Sequence, residues 1–265
     1  MGSDVFSMFG ALFSGRRIFR RMGYYGDQSG ILRRYRRERQ GWDEHLQHTR
    51  RFITAAAQNK RRQSAIVLGS GWLLDVPLQE LSGMFDRVTL TDVRHPRTVK
   101  RQAAKSGNVE LLACDISGFA LPVYRYAQKY RNKRQRPPLD VICPDAAPDL
   151  SAYDFVVSCN VLTQLDILLI DYLRLFFLPD EEEIIAFRKK VQQTHIEMLP
   201  QHRSCLITDT TERTLTPGGE EQCMTLLYHP VALRIDAQRW KWIFDTGMTY
   251  YPDKKTILEV MAVEI

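Results

Sequence analysis

The stretch Ser64-Ala65-Ile66-Val67-Leu68-Gly69-Ser70-Gly71-Trp72-Leu73-Leu74-Asp75-Val76-Pro77 constrains this chain more than any other. It reads as a buried strand, a glycine turn and a helix start in direct succession. Ile66 to Leu68 form the short continuous apolar run of a strand covered on both faces. Gly69 and Gly71 let the backbone turn sharply and approach a ligand, because neither has a Cβ to clash or to forbid positive φ. Asp75 is placed to cap a helix over Val76 to Met84, with Pro77 in the first turn, where its missing N–H costs least. Strand, bare turn and helix N-terminus together make a nucleotide-type cradle.

Downstream of this cradle the strand pattern recurs at regular intervals. Arg87 to Asp92 is a second strand whose closing carboxylate, Asp92, lies 23 residues after Gly69. That is close to the spacing at which an acidic residue reaches a ribose hydroxyl pair across a βαβ unit. A third strand, Val109 to Cys114, ends at Asp115, another 23 residues on. The fourth, Tyr153 to Ser158, opens into Cys159-Asn160-Val161-Leu162-Thr163-Gln164-Leu165, and Ser204 to Asp209 is the fifth. Helices are expected over about Asp166 to Phe177 and Asp180 to Leu199, where Glu181 to Glu183 suit a helix start. Past the turn at Pro217-Gly218-Gly219, the strand patterns Trp240 to Phe244 and Thr256 to Ile265 suit an antiparallel pair closing a parallel sheet. The expected fold is α/β: a doubly wound, mostly parallel seven-stranded sheet with an antiparallel last strand, plus an N-terminal helical extension. Residues 1–60 read as a basic helical extension or lid, 61–265 as the Rossmann-like domain, and 122–150 as a basic insertion within it.

Composition enters where it separates function classes. With 265 residues, 44% hydrophobic and 26% charged, the chain suits one large soluble domain, and no apolar run reaches the roughly 20 residues a spanning helix needs. The net charge of +6 is uneven: residues 16–62 hold 14 Lys and Arg against Asp27, Glu38, Asp43 and Glu44, so the rest of the chain is slightly acidic. That segment is the expected contact for an anionic partner, whether a membrane surface, RNA or an acidic protein. Before it, Val5, Phe6, Met8, Phe9, Leu12 and Phe13 suit an amphipathic helix, and the apolar-then-basic order is wrong for a cleaved signal. Gly23 to Gly30 reads as a loop by its glycine density. Trp42, His45, Leu46, Thr49, Phe52, Ile53 and Ala56 recur at helical spacing and mark one buried face, with His45 a packed residue on it. His195 and His202 read as surface residues. The five cysteines show no CxxC pair and no clustering with histidine, so no metal site and no disulfide framework is expected.

Taken together, these features resemble the class I S-adenosylmethionine-dependent methyltransferases over about residues 64 to 265. The resemblance implies that Gly69-Ser70-Gly71 meets the methionine part of the cofactor, that Asp92 holds the ribose, and that Asp115, with Ile116 beside it, meets the adenine. Methyl transfer would occur at the fourth-strand end, where Asn160-Val161-Leu162 is similar to the Asn-Val-Leu of many small-molecule methyltransferases. Leu73 stands where the family usually keeps a third glycine, and Ser64 and Ala65 where it usually has an acidic residue. The Asn-Pro-Pro-Tyr of adenine and glutamine N-methylases is absent, which disfavours planar amide targets. A nicotinamide-dependent reading would require a glycine at Leu74.

The expected activity is S-adenosylmethionine-dependent methylation of a small molecule at O, N or C, in the cytoplasm, with the N-terminal helices over the site. No residue identifies itself as the base, although Asn160 and Gln164 could orient an acceptor and Asp209 lies on the correct edge. The competing expectation is a methyltransferase-like binding or scaffold subunit. Its basic arm would dock it to a protein, RNA or membrane partner, which would make it a peripheral membrane protein in the last case.

Overall fold

The computed structural model describes residues 16–145, 147–229 and 237–265. The amphipathic segment expected over Val5 to Phe13 lies outside the described residues. Parallel strands β1 (Ser64–Leu68) and β4 (Phe155–Cys159) form the centre of the sheet, and every residue in both is buried. β1 pairs in parallel with β4 and with β2 (Arg87–Asp92), and β2 pairs with β3 (Val109–Ala113) at one edge. On the other side β4 pairs in parallel with β5 (Ser204–Leu215). β8 (Lys255–Glu264) then runs antiparallel to both β5 and β7 (Gln238–Asp245), completing the order β3-β2-β1-β4-β5-β8-β7. An eighth strand, β6 (Glu221–Thr225), folds back on the far half of β5 beyond the expected seven.

Helices cover both faces, and the period-two alternation of the strands decides which residue meets which layer. Ala65, Val67, Val157 and Ile207 pack with Trp42, Leu46 and Ile53 of helix α2 (Arg39–Ala57). Ile66, Leu68 and Val156 face the opposite layer, where α5 (Ala120–Tyr130), α6 (Ile167–Arg174) and α7 (Glu181–Met198) pack around Phe119, Leu169, Leu173 and Phe187. Helices α3 (Leu78–Met84) and α4 (Arg97–Ser106) complete the crossovers that make a parallel sheet possible. Ile18 and Met22, in and just after the helical stretch 16–21, are buried in the α5–α6 layer. No described helix is long and apolar enough to cross a membrane.

Several local expectations change. Tyr24–Arg37 is a helix, α1, where glycine density suggested a loop. Gly23 takes the left-handed conformation (φ 90°) that starts it, while Gly26 and Gly30 lie inside it. Helix α3 begins at Leu78 with no side-chain cap, so Asp75 is free for another task. The basic stretch after β3 contains α5 and then an irregular return, which Arg136 ties down through two 2.6 Å bonds to Glu183. Asp180 caps α7 by accepting from the Glu183 N–H at 2.8 Å.

Candidate functional site

The carboxyl ends of β1, β2 and β4, the middle of β5 and the turn after β3 open into a cavity of about 480 Å³. The glycine turn forms its floor. Gly69 has φ 74°, and a Cβ there would lie 2.0 Å from Val161 Cγ1, so no other residue fits. Gly71 (φ 50°) donates its N–H to Asp92 Oδ2 at 2.8 Å. Leu73 holds φ 58°, a left-handed conformation that a residue with a Cβ rarely adopts. The turn thus keeps a third glycine-like backbone without the glycine. Ser70 closes the turn through its backbone, donating to Thr91 O and accepting from Leu73 N, each at 2.9 Å, while its side chain is buried away from the cavity.

Asp92 is half-buried. Burial raises its pKa, while the Gly71 and Arg94 N–H groups pull it down. Oδ2 is taken by Gly71, but Oδ1 has only long contacts, 3.3 Å from Gln28 Nε2 and 3.4 Å from Arg94 N. That oxygen keeps capacity for a hydroxyl donor. Asp115 sits where β3 turns toward α5. It accepts from Ser117 N (2.9 Å), Ser117 Oγ (2.7 Å) and Ala120 N (2.7 Å), which fixes the Ile116 backbone against the cavity wall.

Asn160 follows β4 with φ 52°, a conformation asparagine tolerates better than most residues. Its amide nitrogen lies 2.8 Å from Asp75 Oδ2 and 3.2 Å from His45 Nε2. Trp240 Nε1 donates to His45 Nδ1 at 3.0 Å, and Trp242 stacks flat on the imidazole at 3.8 Å. Burial depresses His45 to about 3, so the ring is neutral. The packed reading of His45 stands, with a polar function added. Burial also raises Asp75.

Further along the same edge are groups that pattern reading missed or placed loosely. Asp209 Oδ2 accepts from Thr163 Oγ1 at 3.1 Å, while Oδ1 is buried without a partner, and burial lifts the carboxyl to about 6. Glu212 lines the same wall, 6% exposed, with its pKa raised by burial. In a regular strand residues three apart face opposite sides. Here a bulge between Asp209, opposite Val260, and Thr211, opposite Glu259, absorbs Thr210 and turns both carboxylates to the cavity.

Helix α1 closes the cavity from above. Tyr24, Asp27, Gln28, Ile31 and Arg34, one helical face, line it. Gln28 is the fastener: its carbonyl accepts from Trp72 Nε1 at 2.6 Å, and its amide donates to Arg94 O at 2.8 Å as well as to Asp92. The site therefore brings together Gly69, Gly71, Asp92, Asp115, Ile116 and Asn160, with Gln164, whereas the Ser70 side chain stays out. His202 is exposed, but His195 is not a surface residue: it is buried, 2.8 Å from Ser158 Oγ in the opposite layer. Among the described residues no three His, Cys, Asp or Glu side chains gather as a metal site.

No protein-family model matches the sequence, and no curated protein matches it. Among solved structures, the chain is similar to the Burkholderia thailandensis 1,6-didemethyltoxoflavin-N1-methyltransferase bound to its substrate and S-adenosylhomocysteine. The identity is 12%, the match covers 90% of this chain and 87% of that one, and the TM-score is 0.41. It is also similar to the DhpI complex with S-adenosylhomocysteine (14% identity, 97% and 98% covered, TM-score 0.35). A third likeness is the N-methyltransferase NodS of Bradyrhizobium japonicum WM9 (13% identity, 84% and 87% covered, TM-score 0.37). The strand order, the antiparallel β8 and the cavity at the parallel strand ends are those of a doubly wound, Rossmann-like α/β fold.

Proposed function

We propose that the chain is an S-adenosylmethionine-dependent methyltransferase acting on a small molecule. The observation that carries the reading is the spacing of polar groups along one strand edge. Asp115 after β3, Asp92 at the end of β2, the glycine turn after β1 and Asn160 after β4 follow the sheet order. At about 4.8 Å per strand they span roughly 14 Å, the reach of an extended nucleoside with an amino-acid tail. Asp115 and Ile116 would frame the adenine, Asp92 Oδ1 would take the ribose hydroxyls, and the bare backbone of Gly69-Ser70-Gly71 would face the methionine part. Asn160 would stand at the point of transfer, with residues 1–60 acting as the lid over the domain formed by 61–265.

The bound cofactor supplies a methyl group that is already electrophilic, so the chain's contribution is to align the acceptor, exclude water and hold the acceptor's proton. Gln28 and Trp72 perform the exclusion, drawing α1 down over the glycine turn. Isothermal titration with S-adenosylhomocysteine tests the reading. Binding is expected, and Asp92→Ala should weaken it by about tenfold or more, since the hydroxyl pair would lose a charged acceptor. Absence of binding by the unaltered chain would overturn the reading and favour a scaffold that has kept the fold but lost the ligand.

A further inference from the structure

The cavity extends past Asn160 toward β5 and β7, beyond what the cofactor reading uses, and its chemistry there is one-sided. Asp209 and Glu212 stand on the wall, 4% and 6% exposed, and Asp209 Oδ1 faces no donor. Among the described residues neither carboxylate is paired with a Lys, Arg or His side chain. The nearest arginines act on other carboxylates, Arg50 on Asp75 and Arg34 on Asp27 and Asp245, through space rather than in an ion pair. Burying two unmatched carboxylates side by side costs stability unless something cationic completes them.

The remaining walls are apolar and partly aromatic. Trp42, Trp242, Phe244 and Tyr250 line this end. The Arg34 guanidinium lies 4.7 Å from the Phe244 centroid and 4.6 Å from that of Tyr250, so these ring faces already hold one cation. An anionic acceptor would meet two carboxylates at low dielectric, and a neutral one could hydrogen-bond Asp209 Oδ1 but would leave the two negative charges without a counter-charge.

Building on the methyl-transfer reading, we propose that the acceptor is a primary or secondary amine on an aromatic or otherwise apolar body. It binds as the ammonium between Asp209 and Glu212, with Asp209 taking the proton that frees the nitrogen lone pair. In that step an N–H bond of the ammonium breaks, its electron pair stays on nitrogen, and the proton passes to the Asp209 carboxylate. The sulfonium donor supplies the methyl, the new N–C bond forming as the C–S bond breaks, and the nitrogen ends as the methylated ammonium. The burial that lifts Asp209 to about 6 makes it a stronger base than a surface carboxylate.

Three probes that share a phenylethyl body test this by calorimetry, with and without saturating S-adenosylhomocysteine: phenethylamine, 2-phenylethanol and 3-phenylpropionate. Phenethylamine is expected to bind at least tenfold tighter than the alcohol, with the propionate weakest. Asp209→Asn and Glu212→Gln should each erase most of that preference while leaving S-adenosylhomocysteine affinity within about twofold. Equal or tighter binding of the propionate, or an unchanged preference in Asp209→Asn, would overturn the amine proposal. Amine preference without S-adenosylhomocysteine binding would overturn the methyl-transfer reading alone. S-adenosylhomocysteine binding without amine preference would overturn the amine proposal alone.

Discussion

Asp209 is the residue at which stability and the proposed function pull apart. Its folded pKa, about 6, lies above the ordinary 3.8, so between those values the folded chain holds a proton that the unfolded chain has lost. Stability attributable to this group therefore falls as pH rises from about 4 and reaches its full cost above about 6. Asparagine has no such ionisation. Asp209→Asn should be more stable than the unaltered chain by about 2–3 kcal/mol at pH 8, and the gain should vanish near pH 4. Urea unfolding at the two pH values measures it, and a pH-independent difference would show that the carboxylate is not held in a desolvated site. The residue itself was visible in the sequence as a strand-end carboxylate. Its pairing with Glu212 was not, because a bulge in the middle of a strand leaves no periodic trace.

At the scale of elements, the parallel strands were legible because β1 and β4 are buried on both faces and so appear as unbroken apolar runs. β6 was invisible for the opposite reason: all five of its residues are exposed, and no buried face marks its register. Helix α1 was hidden by Gly23, Gly26 and Gly30, since each interior glycine costs about 1 kcal/mol of helix propensity. What holds it is tertiary. One face closes the cavity, and at its C-terminal end Glu38 joins it to α2. Glu38 is 7% exposed and accepts from Thr246 N (2.9 Å), Thr246 Oγ1 (2.6 Å) and Gly247 N (3.1 Å) after β7. Glu38→Ala would strand those three donors and should cost about 2–4 kcal/mol. The loss should appear as a lower denaturant midpoint and faster proteolysis within α1.

At the scale of the whole molecule, two buried imidazoles, one in each helical layer, contribute to the response to acid. Burial depresses His45 to about 3 and His195 to about 4 from the ordinary 6.5. Their contribution is complete above about 6.5 and is lost as pH falls toward those values. His195→Gln removes one of them, so its stability should decline less than that of the unaltered chain between pH 7 and pH 5, by about 2 kcal/mol. Parallel pH declines in the two proteins would remove His195 from the account. Sequence pattern reached the sheet and the buried place of His45 but not that of His195, whose burial depends on a contact as distant as Ser158. The fastening at Gln28 adds a kinetic dimension to this architecture. In the proposed reading α1 is the lid, and its opening would break the bonds of Gln28 to Trp72 and to the Arg94 carbonyl. Residence time, more than the rate of arrival, is the quantity such a helix would control.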